Sequence, residues 1–102
     1  MRFAKALVEA RWDDAHRLLA PNMAAEANAE QLHARFEAMI ERQAVTSCEV
    51  METLEEWPAK LPGDVGWAYV AIAGTTFSEA VAVVVTRSGR SLRIRSIEWG
   101  RP

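Results

Sequence analysis

At 102 residues, half of them hydrophobic and a quarter charged, the chain is sized for one domain, 1–102, with a modest core. Its formal net charge of −2 gives no overall electrostatic reason to bind nucleic acid or an anionic membrane. The single cysteine, Cys48, excludes an internal disulfide and an all-cysteine zinc site.

Residues 2–20 read as helix. Val8, Trp12, Ala15 and Leu19 recur at helical spacing with Leu7 and Leu18 beside them, giving a broad apolar stripe. Asp13 and Asp14 interrupt the polar side and are placed to cap a second short helix, so the segment is either one helix or two pieces, 2–11 and 13–20. Pro21-Asn22 is expected to end it. The charges throughout this stretch leave no apolar signal-peptide core, and no later run reaches membrane-spanning length, so a cytoplasmic location is expected.

Asn28, followed three residues later by Gln31, is a capping-box start. Leu32, Phe36, Met39 and Ile40 then form the apolar face of a second helix running to about Gln43. From Val45 the period changes to two. Thr46, Cys48, Val50 and Leu54 fall on one side and Ser47, Glu49 and Glu55 on the other, as in a strand near a sheet edge. Cys48 is expected to be a small buried hydrophobe. Pro58, Pro62 and Gly63 make 58–65 a loop.

The remaining residues read as three strands, Trp67 to Ala73, Ser78 to Thr86 and Ser91 to Trp99, separated by turn signals. A two-residue turn at Ser88-Gly89 sets Val85 opposite Leu92 and Val83 opposite Ile94. A Gly74-Thr75 turn sets Val70 opposite Glu79 and Tyr69 opposite Ala80. One face then carries Ala68, Val70, Ile72, Val81, Val83, Val85, Leu92 and Ile94, and is assigned to the core. The other carries Trp67, Tyr69, Ala71, Ala80, Ala82, Val84, Arg93, Arg95, Ile97 and Trp99. That reverse face is too apolar to be simply wet, which predicts a cover: a partner subunit, or a fold-back of the 57–65 loop or the C-terminal tail. The predicted architecture is α+β, with two or three N-terminal helices on one face of a curved four-stranded antiparallel sheet.

This order resembles the NTF2-like superfamily, the cystatin-like α+β cone that includes SnoaL-like proteins. The resemblance is carried by a helical start reading ALVEARWDDAHRLLAP, a second helix reading NAEQLHARFEAMI and a meander ending LRIRSIEWG, and it covers nearly the whole chain. It implies a curved sheet around the helices, often with a pocket between them, and homodimers formed through the sheet. The superfamily holds isomerases, cyclases and dehydratases beside binding modules without catalysis, and this chain is short for the enzymes.

Two functional readings follow. The first is a non-catalytic module that homodimerises through the reverse face and binds a small ligand or a protein. Its aromatic and arginine residues, Trp67, Tyr69, Arg93, Arg95 and Trp99, are types enriched at interface centres, with Arg93 or Arg95 placed to stack on a ring across Ala80 and Ala82. The second is a small proton-transfer enzyme. The hairpin register places Glu79 opposite Glu98 on the aliphatic face, where like charges raise one pKa, and His16 and His33 sit beside the helical apolar stripes. A bulge at Ser96-Ile97 would separate the two carboxylates. No metal-ligand spacing surrounds either histidine, and no phosphate loop or nucleophile elbow occurs, so no cofactor or metal is expected.

Overall fold

The computed structural model describes residues 2–100. Four helices precede four strands: α1 Arg2–Val8, α2 Trp12–Arg17, α3 Pro21–Glu26, α4 Ala29–Ile40, then β1 Ser47–Leu54, β2 Asp64–Ala73, β3 Ser78–Ser88 and β4 Ser91–Trp99. The sheet is an antiparallel meander in the order β1-β2-β3-β4. The predicted α+β arrangement is therefore the observed one.

The first helical stretch is split, into α1 and α2, but at residues 9–11: Asp13 and Asp14 lie in the first turn of α2, and Arg11 stands at its N-cap with no side-chain capping bond. Pro21 does not stop the chain from coiling again. It occupies the first position of α3, where a missing N–H costs nothing. The capping box on α4 is complete: the Gln31 amide donates to Asn28 Oδ1 and the Asn28 amide to Gln31 Oε1, both at 2.8 Å. α4 ends at Ile40 with Glu41 in the left-handed region, short of the expected Gln43.

The core lies between the helices and one sheet face. Phe3 and Leu7 of α1 and Leu32, Phe36 and Ile40 of α4 pack with Val70, Ile72, Val81, Val83 and Ile94. Both hairpin turns differ from expectation by two residues in register. Ser88 pairs with Ser91, so the turn is Gly89-Arg90, and glycine supplies a φ of +62° at its first position. Ala73 pairs with Ser78, giving Val70 opposite Val81 and Tyr69 opposite Ala82. Even-numbered shifts preserve the faces, and the predicted aliphatic core face holds, although Leu92 at its end is exposed. Gly74 is required by close approach: a Cβ there would collide with the Phe77 ring and the Ala44 carbonyl.

Odd shifts come from bulges. One lies between Val50 and Glu52, one between Asp64 and Gly66, and one in β4 where Val84 pairs with Ser96 but Val85 with Ile94, leaving Arg95 extra. The bulge in β1 turns Leu54 opposite Trp67, away from the side of Cys48 and Val50. Cys48 is exposed, contrary to expectation, because β1 is an edge strand whose inner face is only partly overhung by α1. Partial desolvation still pushes its thiol pKa up. The other edge is covered. Ala20 N–H donates to the Ile94 carbonyl and Ile94 N–H to the Leu18 carbonyl, both at 2.7 Å, so the segment after α2 runs beside β4. Among the described residues, no helix is long and apolar enough to cross a membrane.

Candidate functional site on the reverse sheet face

The face away from the helices is built from alternate residues of all four strands. Asp64, Trp67, Tyr69 and Ala71 come from β2, and Ala80, Ala82, Val84 and Thr86 from β3. Glu49, Glu52 and Leu54 flank them on β1, and Arg93, Ser96 and Glu98 on β4. Ile97 and Trp99, expected here, are on the helix side. The extra residue at Arg95 inverts the parity of everything after it, so Ile97 pairs with Val83 and Trp99 with Val81, and both pack against the core. The Arg35 guanidinium of α4 lies 6.0 Å from the Trp99 ring centroid.

The apolar middle strand is already dry in the single chain. Ala80, Ala82 and Val84 are 2%, 4% and 8% exposed. They sit low between the large side chains of β2 and those of β4. Trp67 and Tyr69 stack side by side with centroids 6.1 Å apart, and both remain half-buried. A partner would therefore cover the aromatic row; the alanines beneath need no further cover.

Across β3 from β2 to β4 runs an ion pair that the sequence reading missed. Arg95 Nε donates to Asp64 Oδ1 at 2.8 Å and Arg95 Nη2 to Oδ2 at 2.7 Å, a two-point bond. The Leu61 amide donates to Oδ2 at 2.8 Å. The Asp64 side chain is 0% exposed and that of Arg95 25%. The bond from Arg95 holds the Asp64 carboxyl below its usual range. Burial opposes this, while the Leu61 amide and the Thr86 hydroxyl assist it. The same bond raises Arg95 further above its ordinary value. The stacking on a ring expected of Arg93 or Arg95 does not occur: Arg95 is committed to Asp64, Arg93 donates to the Arg17 carbonyl, and among the described residues neither lies over a ring. Asp64 falls in the stretch read as loop. The one available signal is that a lone acid opens a strand two places before an otherwise apolar run.

The four residues considered for proton transfer do not meet. Glu79, opposite Ile72, lies on the helix side at the start of β3, beside Gly100. Glu98, opposite Ala82, points to the reverse face and is exposed. The expectation that they face each other fails for the same reason as Trp99: the bulge falls at Arg95, close to the Ser96-Ile97 position considered for it. His16 Nε2 is 3.2 Å from the Ala24 carbonyl of α3. His33 stacks on Trp12, with centroids 4.5 Å apart and planes 12° from parallel, and lies 3.7 Å from Glu37. Among the described residues, no three His, Cys, Asp or Glu side chains gather to hold a metal ion.

Comparison with protein-family models, with curated proteins and with solved structures finds no match for this chain.

Proposed function

We propose that this chain is a non-catalytic binding module of NTF2-like type that pairs with a second copy of itself through the reverse face of its sheet. The observation that carries this is the stacked Trp67–Tyr69 row, left half-exposed beside the dry strip of Ala80, Ala82 and Val84. Large aromatic side chains on a preorganised floor are what interface centres use. A twofold pairing asks the same patch to serve both copies, and a row of rings beside a low strip of alanines offers ridge and hollow together. The rim is acidic: Glu49, Glu52 and Glu98 surround the row. Like charges meeting across a symmetric interface oppose pairing, so salt should strengthen it.

Sedimentation equilibrium at micromolar concentration tests the reading. The expected result is a dimer that tightens with added sodium chloride and is lost in Trp67→Ala. A monomer at every concentration and salt level rejects it. Arg95→Glu is not a suitable probe, because it would break the internal pair with Asp64.

A further inference from the structure

Five cationic side chains converge on one cleft of an acidic chain. Arg2 and Lys5 lie three residues apart on α1, on the same side of the helix. Arg11 joins α1 to α2, Arg17 ends α2, and Arg93 comes from β4. They line a cleft of about 510 Å³ whose only acid among the described residues is Asp14. Asp14 works as a hub: Arg11 Nη1 reaches its Oδ2 at 3.2 Å and Arg17 Nη1 its Oδ1 at 2.6 Å. Arg11 Nε also bonds Glu9 at 3.0 Å, and Arg93 donates to the Arg17 carbonyl. Glu9 and Asp14 thus offset Arg11 and Arg17, while Arg93 is held by a carbonyl and keeps its charge. Arg2 and Lys5 are in no ion pair among the described residues. The cleft carries charge of the opposite sign to the chain's −2, and cations concentrated in a concavity attract an anion.

A second cavity adjoins it. It measures about 250 Å³ and shares Arg2, Leu18 and Arg93 with the first, but its other walls are Phe3, Val85, Leu92 and Ile94. It opens at the end of the sheet, where Leu92 is exposed. One half of the combined site thus presents positive charge and the other an apolar wall, with the boundary at Arg2 and Arg93.

We infer that this double cleft binds a small amphiphilic anion, a carboxylate or phosphate head group on an apolar tail. The head group sits among Arg2, Lys5, Arg11 and Arg17, where guanidinium forks give charge-assisted hydrogen bonds. The tail lies along Leu18, Leu92 and Ile94. The site lies at the β4 edge under α1 and α2; Arg93, which register places on the reverse face, reaches round that edge to the Arg17 carbonyl, two strands from the Trp67–Tyr69 row on β2.

Calorimetric titration of the full chain with decanoate, decyl phosphate, decanol and inorganic phosphate, each below any micelle-forming concentration, tests this. At least one of the two amphiphilic anions should bind at one site per chain, and the tighter of the two identifies the head group. Decanol and inorganic phosphate should each bind at least about tenfold more weakly, since each lacks one half of the match. Added salt should weaken binding. The double variant Arg2→Glu, Lys5→Glu and the separate variant Leu92→Asp should each lose at least about tenfold in affinity, all three positions being exposed enough to leave the fold intact. Arg42→Glu, beyond the end of α4, should change nothing. Decanol binding as tightly as decanoate, an absence of binding by both anions, or an equal loss in Arg42→Glu would overturn the inference.

Discussion

On the helix side of the sheet, Val70, Ile72, Val81 and Val83 are sealed by side chains delivered from elsewhere in the chain: Phe3 and Leu7 from α1, Leu32, Phe36 and Ile40 from α4. On the reverse side, Ala80, Ala82 and Val84 are just as dry, yet the side chains around them belong to the neighbouring strands. Small residues on β3 lie between Trp67 and Tyr69 on one flank and Ser96 and Glu98 on the other, with the Asp64–Arg95 pair crossing at one end. The first arrangement depends on helices docking. The second depends on strand register alone. Burial on the two faces therefore has different weak points, and substitutions can separate them.

The largest effect is expected on the helix side. Phe3 is 1% exposed and sits where α1 meets the sheet. Phe3→Ala should cost about 3–5 kcal/mol, through lost transfer free energy and the cavity left behind. Urea unfolding followed by far-ultraviolet circular dichroism measures this. A loss below about 1 kcal/mol, the range of ordinary surface changes, would mean that α1 does not seal this face.

The reverse side should lose less, and in a pH-dependent way. Asp64→Ala removes a fully buried carboxylate and leaves Arg95 without its partner, while the Leu61 amide loses an acceptor. Breaking a buried pair costs about 3–5 kcal/mol, but Arg95 is a quarter exposed and can turn toward water, so about 2 kcal/mol is expected at neutral pH. Because the folded carboxyl titrates below its ordinary value, its contribution is complete above the unfolded Asp pKa of about 3.9. It fades as pH falls through that value toward the depressed one in the folded chain. The stability gap between the wild type and Asp64→Ala should therefore be constant from neutral pH to about pH 5 and close below about pH 4. A gap that stays constant into acid would show that the pair contributes nothing through its charge.

This contrast also explains which parts of the molecule were legible in the sequence. The helix side was readable because periodicity alone defines it. Leu32, Phe36 and Ile40 recur at helical spacing, Val81, Val83 and Val85 alternate along β3, and Asn28 and Gln31 announce the start of α4 through local chemistry. Two-residue errors in both hairpin turns did no damage there, since parity survives an even shift. The reverse side was readable only as far as the first bulge. An extra residue carries no composition signal, and Arg95 in the run Leu92-Arg93-Ile94-Arg95 looks like one more step of a regular alternation. Its two-point bond to Asp64 pairs residues 31 positions apart, and local pattern does not reach that far. The convergence of Arg2, Lys5 and Arg17 on Arg93 was hidden for the same reason. Each is an unremarkable surface cation until β4 comes to rest beside α2.

The smallest expected effect gives the sharpest test, because it compares adjacent residues. If β4 kept its alternation without a bulge, Glu98 would face the helices and Ile97 the reverse side. With Arg95 extra, Ile97 packs against the core opposite Val83, and Glu98 is exposed opposite Ala82. Ile97→Ala should then cost about 2 kcal/mol, the low end of the range for aliphatic truncation, since the side chain is only partly buried. Glu98→Ala should stay within about 1 kcal/mol, as expected of an exposed charge whatever it touches. Reversed magnitudes in paired urea melts would restore the unbroken alternation. Glu98 would return to the side of Glu79, Trp99 would rejoin the row of Trp67 and Tyr69, and the proton-transfer reading would regain the geometry it now lacks.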